Sequence, residues 1–188
     1  MIEVKSYTDK RLIYNAPFSK LEMSRHVMDE GNIRKLPRRE RLDKCITILK
    51  NSNDESMRWD AVWLAGEIAE MADPKDPIFD EIADLMCWIL ENDDNGVVKH
   101  EAAFQIAARN MRKKIPNLVD SALNDKSGLV KHESLESLGL MRAFETKELI
   151  VKALTDPDPD VSVTAAFVLK RFARLENTES EYKPYKIL

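Results

Sequence analysis

Glycine and histidine are both scarce in this 188-residue sequence, and each shortage excludes chemistry. The five glycines stand at 31, 66, 96, 128 and 139. No two are spaced for GxGxxG or GxxxxGK[ST], so the phosphate-cradling loops of both kinds are absent. There are three histidines, so a metal site or imidazole acid–base chemistry must draw on His26, His100 or His132 unless carboxylates do all the work. Only two cysteines occur, Cys45 and Cys87, with no CxxC or CxxCH around them. They are expected as buried thiols of a cytoplasmic protein. No run approaches the ~18 apolar residues of a membrane span, and the first residues lack the apolar core of a signal peptide. A soluble, cytoplasmic protein is therefore expected. With 29 Lys and Arg against 33 Asp and Glu, the net charge of -4 offers no basic excess for nucleic acid. No Ser-His-Asp or Cys-His arrangement emerges either.

What the sequence does contain is a repeat. MRWDAVWLAGEI from Met57, VKHEAAFQIAAR from Val98, VKHESLESLGLM from Val130 and VSVTAAFVLKRF from Val161 line up, with starts 41, 32 and 31 residues apart. Each carries small or apolar residues at helical spacing. In the third, Val130, Leu135, Leu138 and Met141 form one stripe, with Ser134 and Gly139 small enough for a neighbouring helix to approach. Between these segments lie second amphipathic stretches, around Leu42 to Leu49, Ile78 to Ile89, Ile115 to Leu123 and Leu149 to Leu154. Prolines 74, 77, 116, 157 and 159 fall at helix starts or connections. The connections NDDNG, NDKSG and DPDPD carry Asn, Asp and Ser side chains suited to cap the next helix. No clean period-two alternation marks a strand. The expected fold is all-α: a HEAT-like superhelix of about four stacked antiparallel helix pairs over residues 38–175, with an N-terminal cap segment over 1–37 and a tail over 176–188. The cap segment holds one short predicted helix, Phe18 to Asp29.

Two of the three histidines occupy the same repeat position, each followed by glutamate: His100-Glu101 and His132-Glu133. Neighbouring helices in a stack lie about 8–10 Å apart, so the two rings are candidates to converge on one ion between their helices. A carboxylate beside either ring completes two His and one carboxylate, a set that suits non-haem iron better than zinc. The same pattern has a structural reading, since a Glu in a helix's first turn is favoured by the helix dipole with or without a metal. His26 lies outside the repeats and reads as a surface or structural histidine.

The stretch KHEAAFQIAARNMRKKIPNLVDSALNDKSGLVKHESLESLGLM, followed by TDPDPDVSVTAAFVLKRFARLE, resembles one half of deoxyhypusine hydroxylase. That family is built of HEAT-like repeats with two His-Glu pairs in each half, and a broader likeness connects the chain to HEAT-like repeats of the phycobilin lyase type. The resemblance implies that His100, His132 and Glu133 bind one iron and that Glu101 holds a substrate amine. It further implies a di-iron centre that activates O2 to hydroxylate a modified lysine on a protein. The chain carries one set of pairs, and Trp59-Asp60 occupies the corresponding position of the preceding repeat, so a homodimer is expected to complete the site. The alternative is a non-catalytic scaffold gripping a protein partner with its concave face, with Trp59, Trp63 and Phe104 as contacts or core. The basic run IRKLPRRERLDK at 33–44 is interleaved with Glu40 and Asp43 and reads as a solvated helix start rather than a nucleic-acid patch.

Overall fold

The structure is a computed structural model that describes residues 29–176. The predicted helix from Phe18, His26 and the tail beyond 176 lie outside the described residues. After the short α1 (Glu30–Arg34), the chain forms α2 (Arg38–Asn51), α3 (Glu55–Met71), α4 (Pro77–Asn92), α5 (Gly96–Ala108), α6 (Ile115–Asn124), α7 (Gly128–Leu140), α8 (Lys147–Ile150) and α9 (Pro159–Leu175). No strand occurs among the described residues, and none of their helices is long and apolar enough to cross a membrane.

The elements stack as antiparallel pairs: α2 with α3, α4 with α5, α6 with α7, and the short α8 segment with α9. Helices α3, α5, α7 and α9 pack directly on one another as an inner layer, whereas α4, α6 and α8 touch each other much less. A stack with one close layer and one splayed layer curves around the close one, as expected of a superhelical solenoid. The stripe expected on α7 is fully buried, since Val130, Leu135, Leu138 and Met141 expose nothing, and Ser134 is buried among them. A Cβ on Gly139 would lie 3.1 Å from Val168, and one on Gly66 would lie 2.0 Å from Gln105 Oε1. Glycine is thus spent where inner helices press together.

Glycine is missing from the place where helices usually end on it. Asn110 and Arg142 take the left-handed conformation after α5 and α7, with φ of 52° and 51°. Around each, the same paired hydrogen bonds close the helix: Met111 N to Ile106 O at 2.9 Å and Asn110 N to Ala107 O at 2.9 Å, then Ala143 N to Leu138 O at 3.1 Å and Arg142 N to Gly139 O at 3.3 Å. These are Schellman closures made without glycine.

Pro77 and Pro159 are the first residues of α4 and α9, and Pro116 is the second of α6, positions where no internal amide partner is lost. The final outer element differs from the expected single helix. It is one turn of α-helix followed by a 3-10 segment, Val151–Thr155. Such 3-10 turns are frequent where an α-helix ends.

A recurrent polar tie fixes each pair to the next. Lys99 Nζ on α5 donates to Asp125 Oδ2 at 2.9 Å, and Asp125 Oδ1 accepts from Ser127 N at 2.8 Å, the residue that opens α7. Lys131 Nζ on α7 donates to Asp156 Oδ2 at 2.7 Å, and Asp156 Oδ1 accepts from Asp158 N at 3.0 Å, opening α9. Arg58 on α3 plays the same part with Asp93 at 2.8 Å, while Asn95 N donates to Asp93 Oδ1 at 2.9 Å. The loop aspartate therefore holds a cation of the preceding inner helix and the amide of the next helix cap together. Asn95 and Asp158 then cap α5 and α9 with their side chains, whereas Ser127 makes no side-chain cap bond.

The arginines of the basic run are also engaged. Arg34 and Arg41 reach Glu67, Arg38 reaches Asp76, and Arg39 reaches Asp43 and Glu81. Cys45 and Cys87 are buried free thiols, and burial pushes them up to about 12 and about 11.

Candidate metal centre

The inner layer presents one repeat position along its ridge: Trp59 on α3, His100 on α5, His132 on α7 and Val163 on α9. The next residue in three of these helices, Glu101, Glu133 and Thr164, turns inward and is at most 7% exposed, whereas Asp60 is half-buried. Between α5 and α7, and between α7 and α9, the ridge residue of one repeat meets the inward residue of the following one. His100 Nε2 lies 3.0 Å from Glu133 Oε2. His132 Nδ1 lies 2.7 Å from Thr164 Oγ1.

The two contacts differ in kind. The Glu133 carboxylate beside His100 raises the imidazole above its ordinary value, through their hydrogen bond first and against the opposing effect of burial. The contact sets a carboxylate against an imidazole in a half-buried site. His132 instead meets a neutral hydroxyl, and its Nε2 stands 3.8 Å from Glu136 Oε2, beyond hydrogen-bond distance. Glu101 is buried, which raises its carboxyl above the ordinary range, and its Oε1 accepts from Gln105 Nε2 at 2.7 Å.

Of the residues singled out in the sequence, the fold brings His100 and Glu133 together, turns His132 toward α9 and buries Glu101 one helix turn from Gln105. Among the described residues no three His, Cys, Asp or Glu side chains are gathered tightly enough to hold a metal ion. The donor types nevertheless fit iron. They are two imidazoles and a carboxylate, one imidazole already paired with the carboxylate and the other offering an unbonded ring nitrogen.

Two open grooves flank these residues. One, about 380 Å³, is lined by Phe104, Glu133, Glu136, Phe167 and Arg171; the other, about 420 Å³, runs past Leu129, His132, Val163 and Thr164. The larger groove of about 590 Å³ lies away from the histidines, among the tied polar groups at the α4–α7 loops. Sequence reasoning overlooked Thr164, Gln105 and Glu136. Thr164 was detectable, since it occupies the register position of Glu101 and Glu133 in the fourth segment. Gln105 and Glu136 were detectable as the residues four beyond Glu101 and His132.

The HEAT repeats family matches residues 83–170. Just under half of the chain therefore matches HEAT repeats. Over 98 residues it is 32% identical to deoxyhypusine hydroxylase of Bos taurus, a match covering 50% of this chain and 32% of that protein. The Homo sapiens deoxyhypusine hydroxylase is 30% identical over 100 residues, covering 51% and 33%. The chain thus spans about a third of the length of the curated relatives it matches. Human deoxyhypusine hydroxylase solved in complex with glycerol superposes with a TM-score of 0.63 at 21% identity, covering 82% of this chain and 51% of that one. The fold is therefore that of a HEAT-like superhelix, and the chain resembles one half of deoxyhypusine hydroxylase.

Proposed function

We propose that the chain is a deoxyhypusine-hydroxylase-like non-haem iron oxygenase in which His100, His132 and Glu133 hold the metal and Glu101 holds an amine-bearing side chain or small molecule. A second copy of the chain supplies the matching half of a di-iron site, since closed two-fold pairing sets identical clusters opposite each other. The observation that carries the reading is the 3.0 Å approach of His100 Nε2 to Glu133 Oε2. Those are two of the three positions to which the family resemblance assigns metal ligands, and they come from different helices 33 residues apart. When bound, iron would supply the activation of O2 that side chains alone cannot provide.

The chain's own residues do the rest. His100 and Glu133 already stand at hydrogen-bond distance, so a cation entering between them would displace the proton they share. Glu101 is held by Gln105 in a buried position where its anionic form is disfavoured. An ammonium group is the partner that would restore that charge, which selects amine-bearing substrates over neutral ones. The groove beside Glu133 is open, and Phe104 and Phe167 give it an apolar wall.

The test is metal per chain after anaerobic loading with iron(II), followed by absorbance on O2 addition and sedimentation for the dimer. Wild type is expected to hold close to one iron per chain. The double variant His100→Ala with His132→Ala is expected to hold almost none. Equal iron in both proteins would sink the proposal.

A second reading draws on α9, where Val163 and Phe167, one turn apart, are 68% and 57% exposed. In it the chain is a scaffold that docks a protein on this ridge. Capture of one stoichiometric partner, kept in the histidine double variant and lost in Phe167→Asp, would favour it over the enzyme.

A further inference from the structure

Thr164 is buried at the interface between α7 and α9, 5% exposed, and its single hydroxyl proton has an evident destination. Thr164 Oγ1 donates to the carbonyl of Asp160, one turn earlier in α9, at 2.7 Å. This is the usual back-bond of a helical threonine. With that proton committed, the oxygen can only accept in its other short contact, the 2.7 Å approach of His132 Nδ1. The proton between them is therefore the imidazole's.

We infer that Thr164 is a positioning residue for His132: its hydroxyl oxygen fixes the neutral ring in the tautomer with the proton on Nδ1, leaving the Nε2 lone pair to bind a metal ion. This rests on the reading of His132 as a ligand and deepens it. Metal-binding imidazoles characteristically donate their second ring nitrogen to an acceptor that sets tautomer and orientation. The equivalent contact one repeat earlier shows the contrast, since His100 turns Nε2, not Nδ1, to Glu133. A carboxylate at the inward position of α9 would favour a cationic ring. A hydroxyl already spent on a backbone carbonyl orients the ring without adding charge. The lone pair of Nε2 opens toward the edge where Glu136 stands, on the groove side of α7.

The experiment has two arms on the same variants, Thr164→Val, Thr164→Ser and His132→Ala, in the full chain. Two-bond proton–nitrogen spectra of the metal-free protein, at a pH where the ring is neutral, read the tautomer directly. Wild type and Thr164→Ser are expected to carry the His132 proton on Nδ1, and Thr164→Val, which keeps the volume but not the acceptor, to shift toward Nε2–H. Cobalt(II) titration, followed in the visible, reads the consequence. Thr164→Val is expected to weaken binding about 10–100-fold, the range for losing such a partner, with Thr164→Ser close to wild type. A wild-type proton on Nε2 overturns the inference. So does cobalt binding in Thr164→Val equal to wild type while His132→Ala loses it, which leaves the ligand reading intact. If His132→Ala binds cobalt as wild type does, the ligand reading and this inference fall together.

Discussion

Two lines of residues run along this stack, and they follow opposite rules. At the seam between one helix pair and the next, the chemistry repeats: a cation on the inner helix, an aspartate in the following loop, and the amide of the next cap. Along the inner ridge nothing repeats throughout, since Trp59, His100, His132 and Val163 take equivalent places. The tetrapeptide VKHE, present twice, is divided between the two. Val98 and Val130 are core, Lys99 and Lys131 belong to the seam, and only the His-Glu pairs belong to the ridge. Packing demands what recurs at every joint. A side chain that changes from repeat to repeat while the backbone does not is free to be there for another reason.

The largest effect expected is at the most buried joint. Arg58 and Asp93 have side chains only 9% and 3% exposed, and the carboxylate holds the guanidinium above its ordinary value. Removing Asp93 leaves the buried guanidinium with only the exposed Asp94 carboxylate and the Ser52 carbonyl, so Asp93→Ala should cost about 3 kcal/mol in denaturant unfolding. The double variant Arg58→Met with Asp93→Leu should recover much of that, since a well-packed apolar pair can replace a buried ion pair. A single-variant loss below about 1 kcal/mol would place this joint with surface pairs and break the distinction between seam and ridge.

The seam shows what the sequence concealed. The order of helices from α2 on, the proline positions and most buried stripes are legible, because burial imposes a period that can be counted in one dimension, although Leu149 and Leu154 of the last outer segment are exposed. The loops NDDNG, NDKSG and DPDPD are legible as helix caps, and Asn95 and Asp158 act so. Their first aspartates are not legible, because each finds its cation 25 to 35 residues earlier. Ser127 reads as a cap but makes no side-chain cap bond, although Asp125 accepts its amide just as Asp93 accepts that of Asn95. At the ridge, the His-Glu coincidence is legible from register alone. The direction in which each ring turns is not. It depends on the residue it meets one repeat later, Glu133 for His100 and Thr164 for His132.

A weaker joint separates stability from binding. Lys131 and Asp156 have side chains 16% and 10% exposed, so Lys131→Met should cost about 2 kcal/mol, the scale of a hydrogen bond to a charged group. The Lys131 ammonium, then the Asp158 amide, hold the Asp156 carboxyl below its ordinary value. A depressed carboxyl contributes stability that is present above its unfolded value of about 3.9 and is lost as pH falls through the folded one. Lys131→Met should therefore flatten the acid side of the stability profile and leave the neutral side lowered but parallel. Cobalt binding by the folded variant should stay at the wild-type level, although residue 131 adjoins His132. A variant that loses binding in step with stability would merge the two lines into one.

The smallest effect comes from extending the ridge backward. Gly66 meets Gln105 across α3 and α5 as Gly139 meets Val168 across α7 and α9, with the partners at the same register positions. By that register, residue 59 stands to Glu101 as His100 stands to Glu133. Trp59 instead stacks on Trp63, with ring centroids 6.1 Å apart. Trp59→His gives up that stacking, about 1 kcal/mol beyond buried area, and gains a polar group opposite a carboxylate that Gln105 contacts at 2.7 Å. The net loss should stay near 1 kcal/mol. The informative quantity is a double-mutant cycle of Trp59→His with Glu101→Gln, measured by denaturant unfolding. A coupling of about 1 kcal/mol would mean that the contact pattern of the ridge continues through α3, and that the repeat lacks only the side chain. Zero coupling would mean that α3 and α5 meet differently from α5 and α7, so that the first repeat could not have carried a third pair whatever residues it held.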